Sequence, residues 1–193
     1  MKVLGIYGSP RKGGNTDILL SEVLKAAAED GAETKSVYSR KLSIRGCVGC
    51  GGCDETGKCV VKDDMQDVYP LLSEADAVVL SAPIYFYNVP AALKAVIDRS
   101  QAMFAGRLLR KKGEELARHD SGRGYLIAVG ATKGKNLFDG TELTARYFYD
   151  ALDMDYCGGI FFRRVDKAGD IRMVEGALDQ ARELGRKIAA GQC

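Results

Sequence analysis

Four of the six cysteines in this chain fall within thirteen residues, in the pattern Cys47-x2-Cys50-x2-Cys53-x5-Cys59. So tight a knot is ill suited to disulfides that span a fold. It suits a ligand that takes four thiolates from one short loop, and an iron–sulfur cluster is the leading candidate. Gly46, Gly49, Gly51, Gly52 and Gly57 surround the thiols. Glycine lets a chain wrap closely and aim N–H groups at sulfur, which stabilises the more negative reduced cluster. Other readings of the same residues stay open. Zinc sites usually separate two Cys pairs by a longer stretch. Cys-x-x-Cys pairs also act as redox-sensing thiols. The proline that follows the last cysteine in bacterial ferredoxins is replaced here by Val60. Cys157 reads as a small buried apolar residue and Cys193 as an exposed one.

A second chemical signal lies in Gly8-Ser-Pro-Arg-Lys-Gly-Gly-Asn-Thr16. Hydroxyls, a cation, glycines and the start of a helix come together there, which describes a phosphate cradle of backbone N–H groups with Arg11 for charge. Gly8 and Gly13 have P-loop spacing, but Gly14 and Asn15 stand where Lys and Ser/Thr would be required. The dinucleotide pattern Gly-x-Gly-x-x-Gly is absent too, so a single terminal phosphate fits best. The plainer alternative is a strand–helix turn capped by Asn15 or Thr16. A third signal is Ala82-Pro-Ile-Tyr-Phe-Tyr-Asn-Val-Pro90, with three consecutive aromatics between prolines. Aromatics at the mouth of a sheet can sandwich a flat ring; otherwise Tyr85 and Tyr87 continue a strand as core.

These segments need elements to position them. Apolar runs predict strands at Lys2–Tyr7, Thr34–Tyr38, Ala77–Ala82, Tyr125–Val129 and Gly159–Arg163. Helical spacing predicts helices over 16–30, from Asp63 as N-cap through Leu72, over 91–103, 142–153 and 170–190, with Gly31 stopping the first. Alternation of this kind implies an α/β fold with a parallel sheet covered on both faces. Ligands of such sheets bind beyond the carboxyl ends of the strands. The loops after strands one, three and four are therefore where chemistry is expected, and the cysteine loop, which follows strand two, is expected at that same edge.

The 193 residues, 46% hydrophobic and 28% charged, fit one globular domain spanning 1–193 with a Cys-rich loop at 46–60. A net charge of +2 gives no footprint for nucleic acid or acidic membranes. No stretch approaches the ~20 apolar residues of a membrane span, and the N-terminal apolar run is too short for a signal peptide. A cytoplasmic protein with free thiols is the expectation. Arg107, Arg110, Lys111, Lys112 and Arg118 read either as a solvated helix face or as a docking patch for an acidic donor. His119, the one histidine, is expected to be exposed and without a role.

Taken together, GSPRKGGNT, PIYFYNVPAALKAVIDR and VGATKGKNLFDGT resemble the flavodoxin-like NAD(P)H-dependent FMN reductases. With the four-cysteine motif added, the chain resembles their iron–sulfur flavoprotein branch. The resemblance implies a flavodoxin-like, doubly wound five-stranded sheet of order 2-1-3-4-5, with FMN at the switch between strands one and three. It places Ser9, Arg11, Asn15 and Thr16 on the FMN phosphate, and Pro83, Ile84, Tyr85, Phe86 and Asn88 along the isoalloxazine. Gly130, Ala131 and Lys133 would close the other edge. Cys47, Cys50, Cys53 and Cys59 would hold a [4Fe–4S] cluster. The implied protein is a homodimer or homotetramer, with electrons passing from ferredoxin to cluster to FMN. No catalytic side chain is required, because the flavin carries the chemistry. Two further readings are an NAD(P)H-dependent FMN or quinone reductase without a cluster, and a non-enzymatic redox sensor.

Overall fold

The computed structural model describes residues 1–193. Strands β1 (Lys2–Tyr7), β2 (Glu33–Tyr38), β3 (Ala77–Pro83), β4 (Gly122–Gly130) and β5 (Met154–Arg163) form one parallel sheet in the order β2-β1-β3-β4-β5. This is the flavodoxin-like order, and the direction of winding reverses between β1 and β3. Helices α1 (Asn15–Glu29) and α6 (Ala177–Ala189) cover one face; α2 (Met65–Glu74), α3 (Ala91–Arg99), α4 (Gln101–Arg110) and α5 (Asp139–Ala151) cover the other. Both faces being covered explains why six of the seven β3 residues are apolar or small and buried. Gly31, at φ 89°, ends α1 as expected, and Ala32 donates its N–H to the Ala27 carbonyl.

Several elements depart from the sequence expectation. The helix read over 91–103 breaks at Ser100, and its continuation, α4, reaches Arg110. The helix read over 170–190 is a 3-10 turn at Asp170–Met173, then α6 after Gly176 at φ 70°. Strand β5 begins five residues before its apolar run, and α5 begins three residues early. Cys157 and Cys193 are not separate thiols: they form a disulfide, with Cα atoms 4.8 Å apart.

The basic stretch is no uniform patch either. Arg107, only 2% exposed, pairs with Asp150 at 2.6 Å and Asp153 at 3.0 Å. Lys111 pairs with Asp120 and Asp153, both at 2.7 Å. His119 sits between Asp150 and Asp155, 3.0 Å from each. These groups fasten α4 and the segment after it to the end of α5 and the start of β5.

One side chain ties three elements of the sheet's second face. The Tyr149 hydroxyl, fully buried, donates to the Tyr125 carbonyl of β4 and accepts the Leu80 N–H of β3 at 3.1 Å. Its ring lies on Gly124, where a Cβ would stand 2.2 Å from ring carbon. Tyr149→Phe strands a buried N–H and is expected to destabilise the protein by about 1–3 kcal/mol. Urea denaturation checks it: a midpoint equal to wild type would remove the hydroxyl from this role.

Candidate functional site

The loop after β1, the candidate phosphate site, is held in shape by its own hydrogen bonds. The Ser9 hydroxyl accepts the Arg11 N–H and donates to the Arg11 carbonyl, both at 3.1 Å, folding the loop on itself. Arg40 reaches under it, donating to the Ser9 carbonyl at 3.1 Å and pairing with Asp17 at 3.0 Å. Asp17 in turn accepts the Gly13 N–H at 3.1 Å. Burial raises the Asp17 carboxyl above its ordinary range, against the pull of the Gly13 amide and Arg40. Arg40 escaped the sequence reading because nothing in the order of residues brings the end of β2 beneath the loop after β1.

Above this foundation, the amides of Asn15, Thr16 and Asp17 donate to no protein acceptor. The Thr16 hydroxyl, buried to 1% exposure, has no hydrogen-bond partner. A buried donor left unmet is rare, and this one faces a helix N-terminus suited to anions. Asn15 differs from expectation. Its amide nitrogen donates to the Lys167 carbonyl at 2.9 Å, and its oxygen accepts the amides of Gly169 and Ile171. That side chain latches the loop after β5; only its backbone amide remains for a ligand.

The cleft beside this loop is about 90 Å³ in volume. Of the residues expected from the sequence, Ser9, Arg11, Asn15, Thr16, Pro83, Ile84, Tyr85 and Ala131 line it together. Phe86, Asn88, Gly130 and Lys133 do not. Val165, Asp166 and Ala168 do, from the loop after β5, which carried no motif.

The aromatic segment is a tight hairpin, not a continued strand. Tyr85 and Asn88 exchange backbone hydrogen bonds at 2.8 and 2.9 Å, and Phe86 and Tyr87 take φ of 48° and 61°. Two left-handed residues in a two-residue turn define type I′, normally filled by Asn and Gly. Bulky aromatics there are strained, and such strain collects at functional sites. Phe86 is fully exposed at the tip. The Asn88 oxygen accepts the Val89 N–H at 2.8 Å.

The cysteine loop lies elsewhere. Cys47, Cys50, Cys53 and Cys59 line one cavity of about 190 Å³, walled by Arg99, Gln101 and Ala102. Arg99 ends α3, whereas the aromatic hairpin precedes the start of that helix. Nine helical residues separate the two by ~13 Å. The loop therefore sits on the flank, not at the carboxyl edge as expected. The reason is the stretch Leu42–Arg45, which packs down the helical face through Leu42 and Ile44. The Gly57 backbone rests on α4: a Cβ there would lie 2.6 Å from the Gly106 Cα.

Arg99 closes the base of this loop. Its guanidinium, 1% exposed, pairs with Asp63 at 2.6 Å and donates to the carbonyls of Arg45 at 2.8 Å and Val61 at 3.3 Å. Asp63 also accepts the amides of Arg45 and Met65. Burial opposes the ionised Asp63, but Arg99 and those amides outweigh it and hold the carboxyl below its usual range. Within the loop, the eight consecutive amides from Gly46 to Cys53 donate to no protein acceptor. Burial, with Asp54 beside it, raises the Cys53 thiol. No three His, Cys, Asp or Glu side chains are drawn together as a ligand set in this conformation. In chemical kind the residues fit a four-thiolate cluster: four sulfurs on one cavity, ringed by unspent N–H donors.

Residues 1–139 match the family model for NADPH-dependent FMN reductase. The chain belongs to that family. Within it, the chain is 36% identical to an iron–sulfur flavoprotein of Methanocaldococcus jannaschii, over 98% of this chain and 96% of the relative. It is also 36% identical to one from Methanosarcina thermophila, over 78% and 72%. These place it in the iron–sulfur flavoprotein branch, as a flavin-dependent oxidoreductase. Among solved structures, a flavone reductase superposes with a TM-score of 0.72 at 20% identity, covering 98% of this chain and 62% of that one. An NAD(P)H:quinone oxidoreductase from Methanothermobacter marburgensis superposes at 0.70 and 13% identity, over 97% and 96%. At those identities the likeness is one of fold.

Asp63→Ala leaves the Arg99 charge buried without its partner, which is expected to cost about 3–5 kcal/mol. The Asp63 contribution is present above the carboxylate's unfolded pKa of ~3.9 and is lost as pH falls through the lower folded value. Chemical denaturation across pH 3–7 reads both. A variant with wild-type stability throughout would show that Arg99 is satisfied without Asp63.

Proposed function

We propose that the protein is an FMN-containing electron-transfer protein, with a [4Fe–4S] cluster on Cys47, Cys50, Cys53 and Cys59 and a carrier such as ferredoxin as partner. The observation that carries the flavin assignment is the orphaned Thr16 hydroxyl. It lies beside three unpaired amides in a cleft that continues onto Ile84 and Tyr85. The names of the relatives support the cluster, as do the shared thiol cavity and its free amides.

Bound in the cleft, FMN would supply one- and two-electron redox chemistry. The chain's own residues do the rest. Ser9 fixes the loop, Arg11 brings charge, and Thr16 with the amides of Asn15–Asp17 would hold the phosphate. Pro83, Ile84, Tyr85 and Ala131 would line the ring and keep water from it. Phe86, Asn88, Gly130 and Lys133 would act from the rim. No side chain is asked to move a proton as an acid or base. Leu108, Leu109, Leu143 and Tyr147, exposed along α4 and α5, suit the expected homodimer or homotetramer. A cytoplasmic setting would keep the four loop thiols reduced for cluster assembly.

The family description favours one second reading, hydride transfer from NAD(P)H to FMN with the cysteine loop as plain thiols. One sample separates the two. Protein purified without oxygen is expected to show a flavin spectrum with a broad shoulder and about four irons per chain. A clean flavin spectrum without iron, bleached quickly by NADPH, would select the second reading.

Thr16→Val tests the cradle separately. A hydrogen bond to a charged phosphate contributes about 1.5–3 kcal/mol, so FMN affinity should fall at least tenfold. The apoprotein should be no less stable, since an unmet buried hydroxyl is removed. Full FMN retention would end the assignment.

A further inference from the structure

The carboxyl edge of the sheet carries unspent positive charge. Arg11 and Lys12 follow β1, Lys41 follows β2, and Lys133 and Lys135 follow β4. At the end of β5 and in the loop beyond it stand Arg163, Arg164, Lys167 and Arg172. All nine are exposed, and none makes an ion pair. The same segments hold three carboxylates, Asp166, Asp170 and Glu175. The chain as a whole carries only +2, so the remaining surface is net negative. Elsewhere Arg99, Arg107, Lys111 and Arg182 sit in pairs, and the other unpaired cations, such as Arg45, Lys58, Arg110, Arg118 and Lys187, are spread over several parts of the chain.

Apolar groups stand among these charges. Phe86 is fully exposed on its left-handed turn, Tyr85 and Tyr87 flank it half exposed, and Met173 is 88% exposed beside Arg172. The Phe86 turn is stiff. Tyr85 and Asn88 close it from within, and the Thr141 hydroxyl donates to the Tyr87 carbonyl at 3.4 Å. An aromatic anchor held rigid inside a charged rim has the anatomy of a protein-binding hot spot.

We infer that this carboxyl edge is the docking face for a small acidic electron-carrier protein, which seats on Phe86 and is steered by the unpaired cations of four loops. This rests on the electron-transfer reading above and adds where the partner binds. Small ligands are held in concave sites, but Phe86 projects and the cations spread around a whole face. The segment around the thiols is a weaker magnet, since Arg45, Lys58 and Lys62 are offset there by Asp54 and Glu55. The carrier is thus placed over the flavin cleft, not over the cysteine loop, so its electrons would enter at the flavin, in place of the carrier-to-cluster order that the resemblance implies.

Calorimetric titration of the purified protein with an oxidised, acidic bacterial ferredoxin tests this. Wild-type affinity should fall steeply with salt. Replacing Lys41, Lys135 and Arg172 together by Glu should weaken binding by about tenfold or more and flatten the salt dependence. Phe86→Gly, which relaxes the turn and cannot harm the fold through φ, should weaken binding by about tenfold with the salt dependence kept. The matched replacement of Arg45, Lys58 and Lys62 by Glu should change little. Binding lost in that loop variant and kept in the edge variant would overturn the assignment. So would unchanged carrier binding in the edge variant with weakened NADPH binding, or no heat of binding from wild type at low salt. Docking is read as heat, so protein that retains neither FMN nor iron would sink the functional reading while the docking result stood on its own.

Discussion

A guanidinium removed from water has to be answered on every side, and the answer found by Arg99 determines much of the shape around it. Its charge is met by Asp63 and its remaining donors by the carbonyls of Arg45 and Val61. The last two are the gateposts of the cysteine segment. A fifteen-residue stretch with no helix or strand of its own therefore leaves and returns at fixed points, because leaving Arg99 unmet would cost more than ordering the gate. Tyr69 completes the arrangement by donating to the Arg99 carbonyl at 2.8 Å. The thiols are thus held at a defined place on the flank while their own backbone keeps its N–H groups unspent.

The cleft beside the loop after β1 is organised differently: side chains are consumed so that amides stay available. Ser9, Asn15, Asp17 and Arg40 all spend their polar atoms on neighbouring backbone or on each other. What remains free is the row of N–H groups at the start of α1 and the Thr16 hydroxyl. Asn15 matters most here, since it fixes the loop after β5 against the loop after β1 and so sets the cleft's width. Preorganised donors need no rearrangement when an anion arrives.

Legibility in the sequence followed the range of the forces involved. The strands and the two-sided core were readable, because buried parallel strands such as AVVLSA leave continuous apolar runs; the strand order came from the family resemblance. The loop after β1 was readable as a candidate anion site, because glycines, Ser9 and Arg11 are local signals. Its internal wiring was not: Asn15 had the right composition for a phosphate ligand, yet it binds residues more than 150 positions away. The basic run from Arg107 to Arg118 misled for a like reason. Its acidic partners, Asp150 and Asp153, arrive from α5 and its end. The helix break at Ser100 was invisible, since no Gly or Pro marks it. The hairpin at Tyr85–Asn88 was hidden because Phe and Tyr occupy places that turn chemistry gives to Asn and Gly.

The Cys157–Cys193 bond encloses β5 from Cys157 onward, the Val165–Ala168 wall of the cleft and the whole of α6 in one covalent ring. In the chain-entropy account, closing a ring of this length stabilises by about 4 kcal/mol. In a reducing compartment, where disulfides are rare, the same pair is expected as thiols. Protein handled in air and protein kept under reductant would then be two covalent species with one sequence. They would differ in how readily the segment from Cys157 to Cys193 frays and in how firmly one side of the cleft is held. Comparisons between preparations are meaningful only when the thiol history of each is known.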